Sequence, residues 1–129
     1  MDYKALYDLA MEATKYSYAP YSNFKVGAAV VTEDDQVYTG GNIENASYGA
    51  TICAERVAMG KAISEGHRKF KAVVVAAQKD GVEYSGSPCG ICRQFIFEFG
   101  DDIEVVFGEN RDKIKGYRIS ELLKGGFRL

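Results

Sequence analysis

Residues 51–56, Thr-Ile-Cys-Ala-Glu-Arg, set a soft metal ligand, Cys53, two positions ahead of a carboxylate, Glu55. Further along, Ser-Pro-Cys-Gly-Ile-Cys places Cys89 and Cys92 three apart, which puts both sulfurs on one face of a helix. At a helix start the macrodipole and the unpaired N–H groups favour thiolate over thiol. Three thiolates converging from two helix starts make a zinc site with a fourth position open to water.

Such a site carries net negative charge, which weakens the metal's pull on a bound water. Arg56 is placed to donate hydrogen bonds to one or two of the sulfurs and draw density off them. With the two helix N-termini, this restores acidity toward a water pKa of about 7. Glu55 gains a role from that acidity, since a carboxylate beside such a water takes its proton and hands it on. A site built only for stability would avoid a fourth negative group. Two blander readings stand beside this one. A lone C-x-x-C pair is redox-active or structural in many proteins, and His67, the single histidine, could close a structural Cys3His zinc site. His67 lies in the polar stretch SEGHRKF, where surface exposure is the simpler expectation.

The elements that must position these residues are legible from periodicity. Ala5, Leu6, Leu9, Ala10 and Ala13 recur at helical spacing and predict a helix over 2–17, ended ahead of Pro20. KVGAAVVT (25–32) and QVYTGGNIEN (36–45) read as a hairpin. A helix capped by Thr51 or a neighbour runs to about Ser64. The β-branched run KAVVVAAQ (71–78) suits a strand buried on both faces. Pro88 opens a helix that Gly100 closes, DIEVVFG (102–108) is a further strand, and GYRISELL offers a short strand or turn followed by a helical turn. Strands alternating with helices in the second half imply parallel pairing. The expected fold is α/β: a three-layer α/β/α domain over 1–129, with a mixed sheet of about five strands and an antiparallel first hairpin.

Composition narrows the partners. Of 129 residues, 47% are apolar and 26% charged, the profile of a globular protein, and a chain of this length buries roughly 65–70% of its unfolded surface. The net charge of −2 argues against a broad basic surface for nucleic acid or anionic lipid. No apolar run approaches a membrane span, and the N-terminus lacks a signal-peptide core, so a cytoplasmic location is expected. Three cysteines are an odd, sparse set for disulfides and fit metal binding in a reducing compartment.

CAE followed by PCGIC corresponds to the zinc-deaminase signature in its three-cysteine form. With YAPYSNFKVGAAV (18–30), GGNIENASYGATICAERVA (40–58) and SPCGICRQFIFEF (87–99), nearly the whole chain resembles the small, homotetrameric branch of the cytidine deaminases. The resemblance implies one zinc per subunit on Cys53, Cys89 and Cys92. It also implies hydrolytic attack at C4 of cytosine, with Glu55 carrying protons to N3 and then to the departing amino group. It places Asn42 and Glu44 on the sugar 3′-hydroxyl, Phe24 against the pyrimidine, and the backbone at Cys53 and Ala54 on the base edge. Ala46, Tyr48 and Phe127 match positions that reach a neighbouring subunit's site. The chain departs from the common pattern at Lys124, where a proline often follows two leucines, and at Ile91, often alanine. The implied activity is conversion of cytidine and 2′-deoxycytidine to their uridine forms in pyrimidine salvage. The alternative is a blasticidin-S-type deaminase. A zinc-stabilised binding protein and a polynucleotide editor are weaker readings, the first because of Glu55 and the second because no basic, aromatic-lined stripe is present.

Overall fold

The computed structural model describes Met1–Leu129. Its layers follow from alternation along the central strands. β1 (Lys25–Thr32), β3 (Phe70–Lys79) and β5 (Glu104–Gly108) are apolar at successive positions, so each strand feeds two cores. Ala28, Val30, Val73, Val75 and Val105 pack on one face with Ala54, Ala58 and Met59 of α2 (Ala54–Ser64) and Ile96 of α3 (Gly90–Phe97). Ala29, Val31, Val74, Ala76 and Val106 pack on the other with Leu6, Tyr7 and Ala10 of α1 (Tyr3–Ala13). The result is the expected three-layer α/β/α arrangement.

The sheet runs β2-β1-β3-β5-β6, where β2 is Val37–Gly41 and β6 is Ile114–Arg118. β1 pairs antiparallel with β2 and β3, β3 pairs parallel with β5, and β6 returns antiparallel. The β3–α3–β5 crossover therefore carries the one parallel pair. A sixth strand, β4 (Val82–Tyr84), pairs with β3 beside this path. It goes beyond the five strands expected from sequence, because three exposed residues carry no alternation to read. The turn before it is a sharper signal: Asp80 and Gly81 both take positive φ, 52° and 81°, as a two-residue hairpin turn requires.

Two glycines set how closely the helices approach. A Cβ at Gly27 would lie 1.8 Å from the Ala10 carbonyl oxygen, and one at Gly40 would lie 2.8 Å from the Ala58 nitrogen. Their missing side chains let α1 sit down on β1 and α2 on β2.

Helix α1 differs from its sequence reading. It ends at Ala13 and tightens into a 3₁₀ turn, Thr14–Tyr16. Its buried face is Leu6, Tyr7, Ala10 and Ala13, with Ala5 and Leu9 exposed. Tyr7 displaces them because it is large and its hydroxyl finds a partner, donating to Glu83 at 2.6 Å. Asp2 caps the helix by accepting from the Ala5 N–H. Helix α3 starts at Gly90 with Cys89 at the N-cap and ends at Phe97, so Pro88 precedes the cap rather than opening the first turn. The chain ends with the short helix α4 (Ile119–Leu122).

Candidate metal and substrate site

Helices α2 and α3 lie on the same face of the sheet, and their N-termini meet. Each is capped by a cysteine in extended conformation: Cys53 with φ −71° and ψ 153°, Cys89 with φ −69° and ψ 169°. Thr51 is not the cap. Neither cysteine side chain bonds a helix N–H, which leaves both sulfurs free to face one another. The Sγ atoms of Cys53 and Cys89 are 3.7 Å apart, and those of Cys53, Cys89 and Cys92 all lie within 4.8 Å. All three are free thiols. A tetrahedral zinc with Zn–S bonds of about 2.3 Å holds its sulfurs about 3.8 Å apart, so this cluster fits zinc with little movement.

Protonation agrees with this geometry. Hydrogen bonding from Cys92, with further donation from Arg56 and Cys89, pulls the Cys53 thiol down to about 5. Cys92 is driven the other way, first by sharing its proton with Cys53 and then by burial. The opposite directions describe a proton shared between two close sulfurs; a divalent cation displaces such protons.

Arg56 donates from Nη2 to Cys53 Sγ at 3.6 Å and to the Thr51 carbonyl at 3.3 Å, while its buried Nε has no partner. His67 lies outside the sulfur cluster. Its Nε2 is 3.1 Å from the Tyr38 hydroxyl and its Nδ1 is 3.6 Å from Asp34. It is half-buried rather than exposed, because this polar cluster gives its ring partners.

Glu55, in the first turn of α2, is 3% exposed. Burial pushes its carboxyl up to about 7, against the lowering effect of a backbone hydrogen bond. It lines a cavity of about 180 Å³ together with Cys53, Cys89, Phe24, Asn42 and Glu44. A larger cleft of about 430 Å³ lies by α1 and β4. Its charged groups are already paired, Arg111 with Asp8 and Glu83 with Tyr7, and it holds no cluster of metal ligands.

Also on the wall of the small cavity, Asn42 and Glu44 anchor the entry to β1. Asn42 accepts from the Val26 N–H and donates to the Phe24 carbonyl. Glu44 accepts from the Tyr21 and Ser22 N–H groups and from the Ser22 hydroxyl. The serine hydroxyl, ahead of the two backbone donors, holds its carboxyl below the usual range. Each side chain keeps spare capacity, one amide hydrogen and at least one carboxylate lone pair, for a hydroxyl.

Ala54 is fully buried and its side chain is outside the cavity wall. Ala46, Tyr48 and Phe127 are exposed and do not line the cavity in this chain. The Phe127 carbonyl accepts from Gln94 of α3, which ties the C-terminal segment to the metal-site helix. Val26, Thr51, Ile52 and the loop Ser85-Gly86-Ser87 complete the wall, and the sequence reading does not include them among the site residues. The available signal is a small, polar tripeptide directly ahead of Pro88-Cys89.

Known proteins resemble this chain in sequence and fold. The family model for the cytidine and deoxycytidylate deaminase zinc-binding region matches residues 1–109. A cytidine deaminase of Sporosarcina psychrophila is 44% identical over 128 residues, covering 98% of this chain and 92% of that protein. The crystal structure of cytidine deaminase from Burkholderia pseudomallei superposes with a TM-score of 0.89 at 42% identity, over 98% of this chain and all of that one. A blasticidin-S deaminase of Bacillus cereus is 34% identical over 95 residues, covering 70% of this chain and 68% of that protein.

Proposed function

We propose that this chain, which belongs to the cytidine and deoxycytidylate deaminase family, hydrolyses the exocyclic amino group of cytidine and 2′-deoxycytidine to give the uridine nucleoside and ammonia. The observation that carries this reading is one small cavity lined by a buried glutamate and by Cys53 and Cys89, two of three converging sulfurs. Cys53, Cys89 and Cys92 hold zinc, one ion per subunit. When bound, zinc polarises a water molecule and so supplies a nucleophile at neutral pH.

The chain's own residues do the rest. Glu55 takes a proton from the attacking water, delivers it to N3 of the base as C4 is attacked, and passes a further proton to the leaving amino nitrogen. A carboxyl whose affinity for protons is near neutrality suits both accepting and releasing them. Arg56 donates to the Cys53 sulfur and tempers the negative charge around the metal. Asn42 and Glu44 bind the sugar 3′-hydroxyl, which leaves the 2′ position free and accounts for both sugars. Phe24 packs on the pyrimidine, and the backbone at Cys53 and Ala54 reads its edge.

The domain, 1–129, acts as a homotetramer. Ala46, Tyr48 and Phe127, exposed in one chain, complete a neighbour's site. No helix is long and apolar enough to cross a membrane, and the activity is assigned to pyrimidine salvage in the cytoplasm. Loss of ultraviolet absorbance is measured with cytidine, deoxycytidine, blasticidin S and single-stranded DNA in parallel. Turnover of the two nucleosides alone is expected, abolished by a chelator and restored by zinc; turnover of blasticidin S instead overturns the substrate assignment. Sedimentation of the active form as a monomer overturns the tetramer.

A further inference from the structure

The β3–β4 hairpin packs against the residues that open β1. Asn23 Nδ2 donates to Asp80 Oδ1 at 2.7 Å, and the Phe24 and Tyr84 rings meet at 5.7 Å between centroids, tilted by 60°. The backbone of Phe24 is already held on its other side: its N–H donates to the Ser22 hydroxyl and its carbonyl accepts from Asn42. Those contacts fix the main chain but leave the ring free to rotate about the side-chain bonds. Tyr84 is the aromatic ring that meets it. The three residues after Tyr84 then form part of the cavity wall.

β4 has no core of its own. All three of its residues are exposed, and Tyr84 retains 46% exposure, so burial of β4 does little for the fold. We propose that Tyr84 is a positioning residue for the nucleoside: its ring holds the Phe24 ring in the orientation that receives the pyrimidine, and the Asn23–Asp80 hydrogen bond holds the hairpin in place to do so. This rests on the nucleoside reading above. Tyr84 itself does not line the cavity, so its effect passes through Phe24, and it acts on binding of the base rather than on the proton transfers at Glu55. The tyrosine hydroxyl has no part in it; the contact is between ring surfaces.

The test is steady-state kinetics with cytidine on the parent, Tyr84→Ala, Tyr84→Phe and Asp80→Gly, with zinc content and thermal midpoint measured for each. Aromatic pairs of this kind contribute enough to predict a rise in KM of about three- to tenfold for Tyr84→Ala, with kcat within about twofold. Tyr84→Phe restores the parental KM. Asp80→Gly tolerates the positive φ and gives a smaller rise in KM, with Tyr84 intact. Zinc content and thermal midpoint stay at parental values throughout. An unchanged KM in Tyr84→Ala, with the parent turning over cytidine normally, overturns the positioning role and leaves the deaminase reading standing. A loss in Tyr84→Phe equal to that in Tyr84→Ala, or a kcat loss matching the KM change, overturns it too. A zinc-loaded parent that does not deaminate cytidine overturns both.

Discussion

Two glutamates line the small cavity, and they are driven in opposite directions. Glu44 accepts three hydrogen bonds from the Tyr21–Ser22 turn and is held below the usual carboxylate range, fixed as an anion. Glu55, 3% exposed, is raised to about 7 because burial disfavours its charge. The same residue type is thus held charged in one place and brought near neutrality in the other. Donors set the first state and desolvation the second. The polar pair, Asn42 and Glu44, is satisfied internally, and Asn42 also holds the Phe24 carbonyl. At the sulfurs, three thiols lie within 4.8 Å of one another and the buried Arg56 Nε has no partner.

The contrast breaks most visibly if Glu55 is neutralised. Glu55→Gln keeps its shape but cannot carry a proton, and kcat is expected to fall by about 10²–10⁴-fold with zinc content unchanged. A near-normal rate measured on the zinc-loaded variant removes the proton-carrier role. Arg56→Gln tests whether the sulfur cluster depends on its cation. Zinc affinity or activity should drop by about 10–100-fold, read by competition with a chromogenic chelator and by turnover; parental values for both refute the role. If Glu44 holds the sugar hydroxyl, Glu44→Ala should raise KM for the nucleoside by about tenfold or more and lower kcat much less, since such a contact does not change between ground and transition states. An equal fall in kcat would move Glu44 into the chemistry.

The smallest effect is on stability. Glu44 binds protons less readily in the folded chain than unfolded, where its ordinary value is 4.5. Its contribution is therefore complete above that pH and fades as pH falls through the lower folded value. Thermal midpoints of the parent and Glu44→Gln should differ above pH 4.5 and converge below it. A constant difference across that range would mean that the hydrogen bonds to Glu44 do not depend on its charge.

Much of this is readable from spacing. A separation of three places Cys89 and Cys92 on one helix face, and the alternating Val73–Ala76 run carries both cores of the sheet. The buried face of helix α1 departs from its periodicity because Tyr7, a polar-tipped aromatic, outweighs Ala5 and Leu9 once Glu83 supplies a partner. Strand β4 escapes the sequence because its three exposed residues carry no alternation, and Ser85-Gly86-Ser87 because a loop without periodicity does not announce which wall it forms.

Local order along the chain determined the ligand types, the helix starts that favour thiolate, and the succession of strands and helices, since each depends on neighbours a few residues away. Only the tertiary structure decided that Cys53 and Cys89, 36 residues apart, stand 3.7 Å from one another. It also decided that Glu55 is dry and that a surface hairpin reaches the ring of Phe24. Those outcomes depend on how helices settle across a sheet from partners distant in sequence, and no pattern within one segment encodes the distance between two.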